Sequence, residues 1–255
     1  MSYLEDLVTG ARRRAADLGD SIGVDELADR AAGAAAPRGF AAALRSDHPA
    51  LIAEIKRATP RGELNPDLDA AELADLYARG GASAISVLTE PDYFKGSMDD
   101  LVAARPCGLP VVRKDFIVDE IQILEARAAG ADAVLAIVRI LGDEFETILE
   151  SAAATGMDAL VEVHDETDLA RAVDAGASLI GVNHRDLATF EVDPDRTAKL
   201  VPLMPGGATV VALSAVRGRA DVERLIDAGA HAVLVGEALV TAPDPVAKIR
   251  ELLKR

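Results

Sequence analysis

In the run Leu51-Ile-Ala-Glu-Ile-Lys56 a carboxylate and an ammonium group stand two residues apart. Residues at that spacing in a strand point to the same face. Glu54 and Lys56 are therefore expected side by side where a buried strand ends and a polar turn, Arg57 to Gly62, begins. Burying charge is costly unless it is paired, which leaves two readings: a functional pair, or a structural ion pair closing the end of a barrel. Lys114 and Glu162 end two other apolar runs. Gathered in one place, two carboxylates and two ammonium groups suit acid–base chemistry, with a lysine as general acid and a glutamate moving a proton. An ion-pair network is the alternative. Asn183 and Arg185, in Asn-His-Arg-Asp, could hold a substrate carboxylate or hydroxyl; otherwise Arg185 and Asp186 form a surface pair. His184 lacks cysteine or carboxylate partners at metal-ligand spacing, so no metal is expected. His48, His164 and His231 read as surface or turn residues.

These residues need elements to position them. Apolar, β-branched runs recur at Leu51–Lys56, Ala84–Leu88, Pro110–Arg113, Ala133–Val138, Ala159–Val163, Leu179–Asn183, Thr209–Ser214 and Ala232–Val235, with helical stretches between them. Continuous hydrophobicity is the pattern of parallel strands covered on both faces. Such strands build either a closed barrel or an open doubly wound sheet, and two features favour a single (β/α)8 TIM barrel. Gly81, Gly130, Gly176 and Gly229 each end a helix and open a strand, at a spacing of about 50 residues. That is two βα units, the quasi-fourfold repeat of alternate barrel units, with glycine supplying the positive φ of a helix end. Glu54, Lys56, Lys114, Glu162, Asn183 and Ser214 also all fall at C-terminal strand ends, which converge on one mouth in a barrel. No Gly-x-Gly-x-x-Gly fingerprint supports the open sheet. Asp119 with Gln122, and Asp143 with Glu146, read as helix starts. Ser214 after the seventh strand, and Gly236 and Glu237 after the eighth, mark loops that commonly bind phosphate in such barrels.

Residues 1–48 read as amphipathic helices. Leu4, Leu7, Val8 and Ala11 have helical spacing, a break falls at Gly19–Gly23, a second segment runs from Val24 to Ala36, and Phe40 to Leu44 adds a turn. The expected organisation is a helical extension, 1–48, packing on a barrel of 49–255; a free or oligomerising arm is the alternative.

The length, 255 residues, suits such a barrel. With 27 basic and 43 acidic residues the net charge is −16, which argues against nucleic acid and an anionic membrane surface as partners. An anionic substrate would have to be held by a local cluster of Lys, Arg and backbone N–H groups. Cys107 is the only cysteine, so no internal disulfide forms, in keeping with a reducing, cytoplasmic setting. Glu5 and Asp6 come too early for a signal peptide, and no apolar run approaches the roughly 20 residues of a membrane span. Oligomeric state is read no further than monomer or weak homodimer.

Seven stretches together resemble the indole-3-glycerol-phosphate synthase family: Ile52–Lys56, Ile85–Glu90, Tyr93–Ser97, Arg113–Phe116, Leu160–His164, Gly181–Leu187 and Val235–Glu237. The resemblance covers nearly the whole chain, including the helical extension. It implies a phosphorylated substrate, 1-(2-carboxyphenylamino)-1-deoxyribulose 5-phosphate, and a cofactor-free ring closure with loss of carbon dioxide and water. It implies Lys114 as general acid on the ketone oxygen, Glu162 as the proton carrier of the dehydration, Lys56 near the substrate's anionic groups and Glu54 positioning it. Asn183 and Arg185 would surround the substrate, Phe94 and Phe116 would lie near its ring, and Arg57–Leu64 would form a mobile lid.

The chain departs from the family after its seventh strand. Where the family reads Ser-Glu-Ser-Gly or Ala-Glu-Ser-Gly, this chain reads Ala212-Leu213-Ser214-Ala215. A carboxylate becomes an apolar side chain, and a glycine gains a methyl group. If position 215 needs φ > 0, alanine costs on the order of 1 kcal/mol or more. Thr59 for serine and the bulk of Arg61 are milder changes in the lid. Two alternatives to a working synthase follow: a diverged or engineered barrel using the same lysines on another carbonyl substrate, or a catalytically silent barrel that binds a phosphorylated ligand.

Overall fold

The computed structural model describes residues 3–46, 48–186 and 189–254. Met1, Ser2, Asp47, Leu187, Ala188 and Arg255 lie outside them, so the last residue of the Gly181–Leu187 stretch and the first residues of the 1–48 extension lie outside the described residues.

Among the described residues, eight parallel strands close a barrel in sequential order: β1 (Ala50–Ile55), β2 (Ala84–Leu88), β3 (Val111–Lys114), β4 (Ala133–Ile137), β5 (Asp158–Val163), β6 (Leu179–Asn183), β7 (Thr209–Leu213) and β8 (Ala232–Val235). Closure is direct: Ile52 is opposite Leu234 on β8 and opposite Ala84 on β2. The barrel expectation holds, and no strand limit shifts from the sequence reading by more than one residue. A two-stranded hairpin, Ala58–Thr59 with Gly62–Glu63, follows β1 in place of an irregular turn.

Thirteen helices surround these strands among the described residues: α1 (Tyr3–Ser21), α2 (Val24–Gly33), α3 (Phe40–Ser46), α4 (Ala70–Gly80), α5 (Met98–Ala104), α6 (Glu120–Ala128), α7 (Val138–Leu141), α8 (Phe145–Ala154), α9 (Glu166–Asp174), α10 (Arg196–Leu200), α11 (Arg219–Asp227), α12 (Glu237–Val240) and α13 (Pro245–Leu253). Alternation along each strand produces two cores. Outward residues such as Leu51, Ile85, Val134, Val161 and Val233 pack beneath the helices. Inward residues, including Ile52, Val112, Leu135, Leu160, Val211, Leu213 and Leu234, fill the barrel. Asp69, Ser97, Asp119, Asp165 and Asp244 cap α4, α5, α6, α9 and α13 through backbone N–H bonds. Gly81, Gly130, Gly176 and Gly229 take φ of +97°, +86°, +77° and +98°, as the repeat requires. Asp143 does not cap α8. A 3-10 turn, Gly142–Glu144, runs straight into that helix, so its first residues are already helical and no extended N-cap forms.

The N-terminal helices touch both ends of the barrel. Phe40 and Leu44 of α3 are fully buried against its inner core, each worth about 1.5–3 kcal/mol of apolar burial. Nearby, the Arg38 guanidinium pairs with buried Asp132 at 2.8 Å, the Ala41 N–H donates to Asp158 at 2.8 Å, and Arg45 donates to Thr209 at 3.1 Å. Those partners lie at the starts of β4, β5 and β7. At the opposite end Arg14 of α1 reaches Asp92 at 3.1 Å, Asp115 at 3.5 Å and Glu90 at 3.6 Å, all just past strand C-termini.

Candidate active site

The C-terminal strand ends bring the four predicted acid–base residues into one mouth as two pairs. Glu54 ends the inward face of β1 and Lys56 follows two residues later. The Lys56 ammonium lies 2.7 Å from Glu54 Oε1, and both side chains are nearly buried. Gly236, just past β8, makes room for them: a side-chain carbon there would collide with the Glu54 carboxylate and sit 3.0 Å from Lys56 Nζ. Its lack of a side chain thus has a packing cause within the site, which the phosphate-loop reading did not foresee.

Across the mouth, Glu162 at the end of β5 is fully buried. Asn183 of β6 donates to its Oε1 at 3.0 Å. Its Oε2 has no hydrogen-bond partner among the described residues and lies 3.9 Å from the Lys114 ammonium at the end of β3. A buried carboxylate oxygen left in this way is costly and calls for a functional explanation.

Asn183 connects this pair to the next loop. Its Oδ1 accepts from the Ser214 hydroxyl at 2.9 Å and from the Arg185 backbone N–H at 3.1 Å, and its carbonyl accepts from Arg196. Arg185 donates to the Phe190 carbonyl at 3.3 Å, whereas Asp186 pairs with Arg139 at 3.3 Å. Burial depresses the Arg185 guanidinium, as do the charges of Arg61 and Arg217, while Glu237 opposes them. Guanidinium groups from the loops after β1, β6 and β7 thus bear on one another, a local cationic patch on a chain of net charge −16. Glu237 itself is exposed at the first position of α12.

Phe116 is buried and Phe94 half-buried, both against the inner core. The Phe94 loop is folded by Glu90, whose carboxylate accepts from the N–H groups of Asp92, Tyr93 and Phe94. The Phe94 carbonyl in turn accepts from Ala58 at 3.1 Å, tying the hairpin after β1 to the loop after β2. A separate cavity of about 240 Å³, lined by Arg14, Thr89, Ser97, Arg113 and Asp115, lies beneath α1; none of the four acid–base residues lines it.

Leu213 and Ala215 sit as the sequence departure suggested they would matter. Leu213 is 1% exposed and fills the inner core over Gly181, where an added side-chain carbon would lie 2.9 Å from it. Ser214 and Ala215 both adopt left-handed backbone, φ +69° and +65°, so the condition for a strained alanine is met.

Two histidines are buried, and for His164 this corrects the expectation of a surface or turn position. His164 is 3% exposed, with Nε2 3.4 Å from Glu162 Oε1 and Nδ1 3.6 Å from Asp168 Oδ2. It is buried because it continues the inward face of β5 two residues beyond Glu162. His184 is fully buried, its Nδ1 3.0 Å from the Leu213 carbonyl and its Nε2 3.0 Å from the Thr197 hydroxyl. Burial holds its imidazole below the usual value, with Arg196 and Arg224 acting the same way. A neutral ring donating to Leu213 and accepting from Thr197 satisfies both nitrogens. Among the described residues, no group of three or more His, Cys, Asp or Glu side chains is arranged to hold a metal.

A family described as indole-3-glycerol phosphate synthase matches residues 4–252. The chain belongs to the indole-3-glycerol phosphate synthase family. It is 49% identical over 255 residues to the indole-3-glycerol phosphate synthase of Mycolicibacterium vanbaalenii, covering 99% of this chain and 94% of that protein. It is 47% identical over 256 residues to the synthase of a Parafrankia species, with 99% and 96% covered. Among solved structures it resembles a thiamine phosphate pyrophosphorylase from Pyrococcus furiosus, with a TM-score of 0.61 at 20% identity over 80% of this chain and 94% of that one. That likeness is one of barrel architecture alone. Synthase-family membership therefore rests on sequence relatives that match the chain from end to end. Among the described residues no helix is long and apolar enough to cross a membrane.

Proposed function

We propose that this chain is an active indole-3-glycerol-phosphate synthase, a carboxy-lyase acting on 1-(2-carboxyphenylamino)-1-deoxyribulose 5-phosphate. The observation that carries the reading is the opposed arrangement of Lys114 and the open oxygen of Glu162, 3.9 Å apart in the barrel mouth, in a chain 49% identical to a named synthase. Lys114 polarises and protonates the substrate ketone oxygen as the aromatic ring attacks the carbonyl carbon. Loss of carbon dioxide restores the electron pair to the ring. Glu162 then takes and returns protons while the hydroxyl leaves as water. Lys56, held at 2.7 Å by Glu54, supplies positive charge to the substrate's anionic groups. Asn183 and Arg185 hold polar groups of the chain between ring and phosphate, and Phe94 and Phe116 border the ring. Ser214, Gly236 and Glu237 lie on the two loops assigned to the phosphate end, where the cationic patch of Arg61, Arg185 and Arg217 favours an anion.

Leu213 and Ala215 lower the rate in this reading and do not replace the reaction, because Lys114, Glu162, Asn183 and Lys56 keep their mutual contacts. The test is fluorescence on mixing enzyme with the carboxyphenylamino-deoxyribulose phosphate. The chain has no tryptophan, so indole product is seen over a low background. A rise at catalytic enzyme concentration supports the reading; binding without a rise sinks it. Residues 1–48 serve as an extension that braces the barrel, and a chain beginning near residue 49 should melt at a lower temperature; equal melting temperatures would refute that role.

A further inference from the structure

We propose that His164 is a positioning residue: with Asp168 behind it, its ring fixes one oxygen of Glu162 and leaves the other to meet the substrate. The two oxygens of Glu162 have different surroundings. Oε1 is held by Asn183 from β6 at 3.0 Å and faces His164 Nε2 at 3.4 Å. Among the described residues Oε2 has no hydrogen bond, and it lies 3.9 Å from the Lys114 ammonium of β3. Fixing Oε1 from two sides sets the carboxylate plane, so the chemistry falls to Oε2.

His164 is fixed in its turn. Its backbone N–H donates to Asp168 Oδ2 at 3.0 Å, and its Nδ1 lies 3.6 Å from the same oxygen. Asp168 of α9 also accepts from Arg139 of α7 at 3.2 Å. Burial pushes the Asp168 carboxyl up, but the His164 contacts and the Arg139 charge outweigh it and hold it below its usual value. A fixed negative charge therefore stands behind the ring, turning Nδ1–H toward Asp168 and Nε2 toward Glu162. This is the logic by which a buried carboxylate orients a histidine in front of a reacting group. Among the described residues neither ring nitrogen makes a regular hydrogen bond, so its contacts with Glu162 and Asp168 are close polar contacts, and the ring is 3% exposed, so water does not compete for it. The ring and Asn183 together occupy the surroundings of Oε1, which leaves Oε2 as the oxygen turned to the Lys114 side of the mouth. A proton gained at Oε2 leaves the neighbours of Oε1 where they are, so Glu162 can change charge without changing place.

The kinetic arm of the test rests on the synthase reading; the spectroscopic arm does not. In His164→Leu, kcat should fall about 10- to 100-fold, a fraction of what general acid–base catalysis contributes, with KM little changed and the pH dependence of kcat displaced. His164→Gln, which restores an amide N–H near Nε2, should recover part of the loss. Variants whose kcat and pH profile stay within twofold of the parent overturn the proposal. Independently, the chain has only four histidines, so imidazole NMR signals can be assigned one by one in the free enzyme. Glu162→Gln should move the His164 ring signals far more than those of His48 and His231, and an unmoved His164 signal overturns the proposal. If the parent makes no indole product, the synthase reading fails while the NMR result still decides the coupling. If His164→Leu does not fold, the Gln variant and the NMR arm suffice.

Discussion

The mouth holds two lysine–glutamate pairs that differ in one respect. Lys56 and Glu54 are closed on each other at 2.7 Å, whereas Lys114 and Glu162 stand 3.9 Å apart with one carboxylate oxygen unsatisfied. A closed, nearly buried pair has spent its interaction within the protein and behaves as a fixed structural and electrostatic unit. An open pair keeps a donor and an acceptor available to a ligand placed between them. The same residue types at the same barrel end thus divide into a scaffold pair and a reacting pair, and separation decides which is which.

The largest expected effect breaks the open pair. Lys114→Ala should cut turnover by about 10²–10⁴-fold while the chain still folds; an active variant would remove Lys114 from the general-acid role. Disrupting the closed pair should act more on stability than on turnover. Glu54→Gln leaves the Lys56 ammonium nearly buried and unpaired, at a cost of about 3–5 kcal/mol, whereas Glu162→Gln should cost far less stability and far more turnover. Urea unfolding and steady-state rates on both variants test this contrast, and equal stability losses would dissolve it. A smaller effect concerns the loop beside Asn183. Ala215→Gly relieves a left-handed alanine and should stabilise by about 1 kcal/mol, or roughly 2–4 °C in melting temperature for a domain of this size. Combining it with Leu213→Glu should raise synthase activity severalfold; no gain would mean that the loop is compensated elsewhere.

The smallest effect depends on pH. His184 is held below its ordinary value by burial, so the unfolded chain binds this proton more readily than the folded one. The stability it reflects is complete above the ordinary histidine value, about 6.5, and is lost as pH falls through that value toward the depressed one. The melting temperature should therefore fall from pH 7 to pH 5, with a shallower slope in His184→Asn. An unchanged slope would place the acid sensitivity elsewhere.

Much of this was legible in the chain. Continuous apolar runs and the recurring glycines are properties of single strands and helix ends, so they give the closed barrel and the positive φ of Gly81, Gly130, Gly176 and Gly229. Glu54 and Lys56 were found by their spacing of two. Glu162 and His164 have the same spacing, so the same rule places His164 beside Glu162; its position just after the apolar run is what suggests a surface or turn residue instead. Asp168, Arg139 and Arg196 could not be found that way. Arg139 and Arg196 reach the site from the βα units on either side of β5, and no local period encodes which loops meet across a mouth, whereas Asp168 stands in the same unit, in the first turn of α9 four residues after His164. The separation of each lysine from its glutamate was likewise invisible, because it depends on what else touches the carboxylate: Gly236 beneath one pair, Asn183 beside the other.

The polar contacts of the N-terminal segment also bear on synthesis. Arg38 waits for Asp132, Ala41 for Asp158 and Arg45 for Thr209, partners 94, 117 and 164 residues later. At roughly 5–20 residues per second, the segment leaves the ribosome about 8–33 s before its last partner. Over that interval Phe40 and Leu44 have no barrel floor to cover, so the first part of the chain to be made is among the last to be secured. Protease digestion of ribosome-bound chains should cut within residues 34–46 until β7 has emerged, and protection in shorter chains would show that the segment finds an earlier resting place.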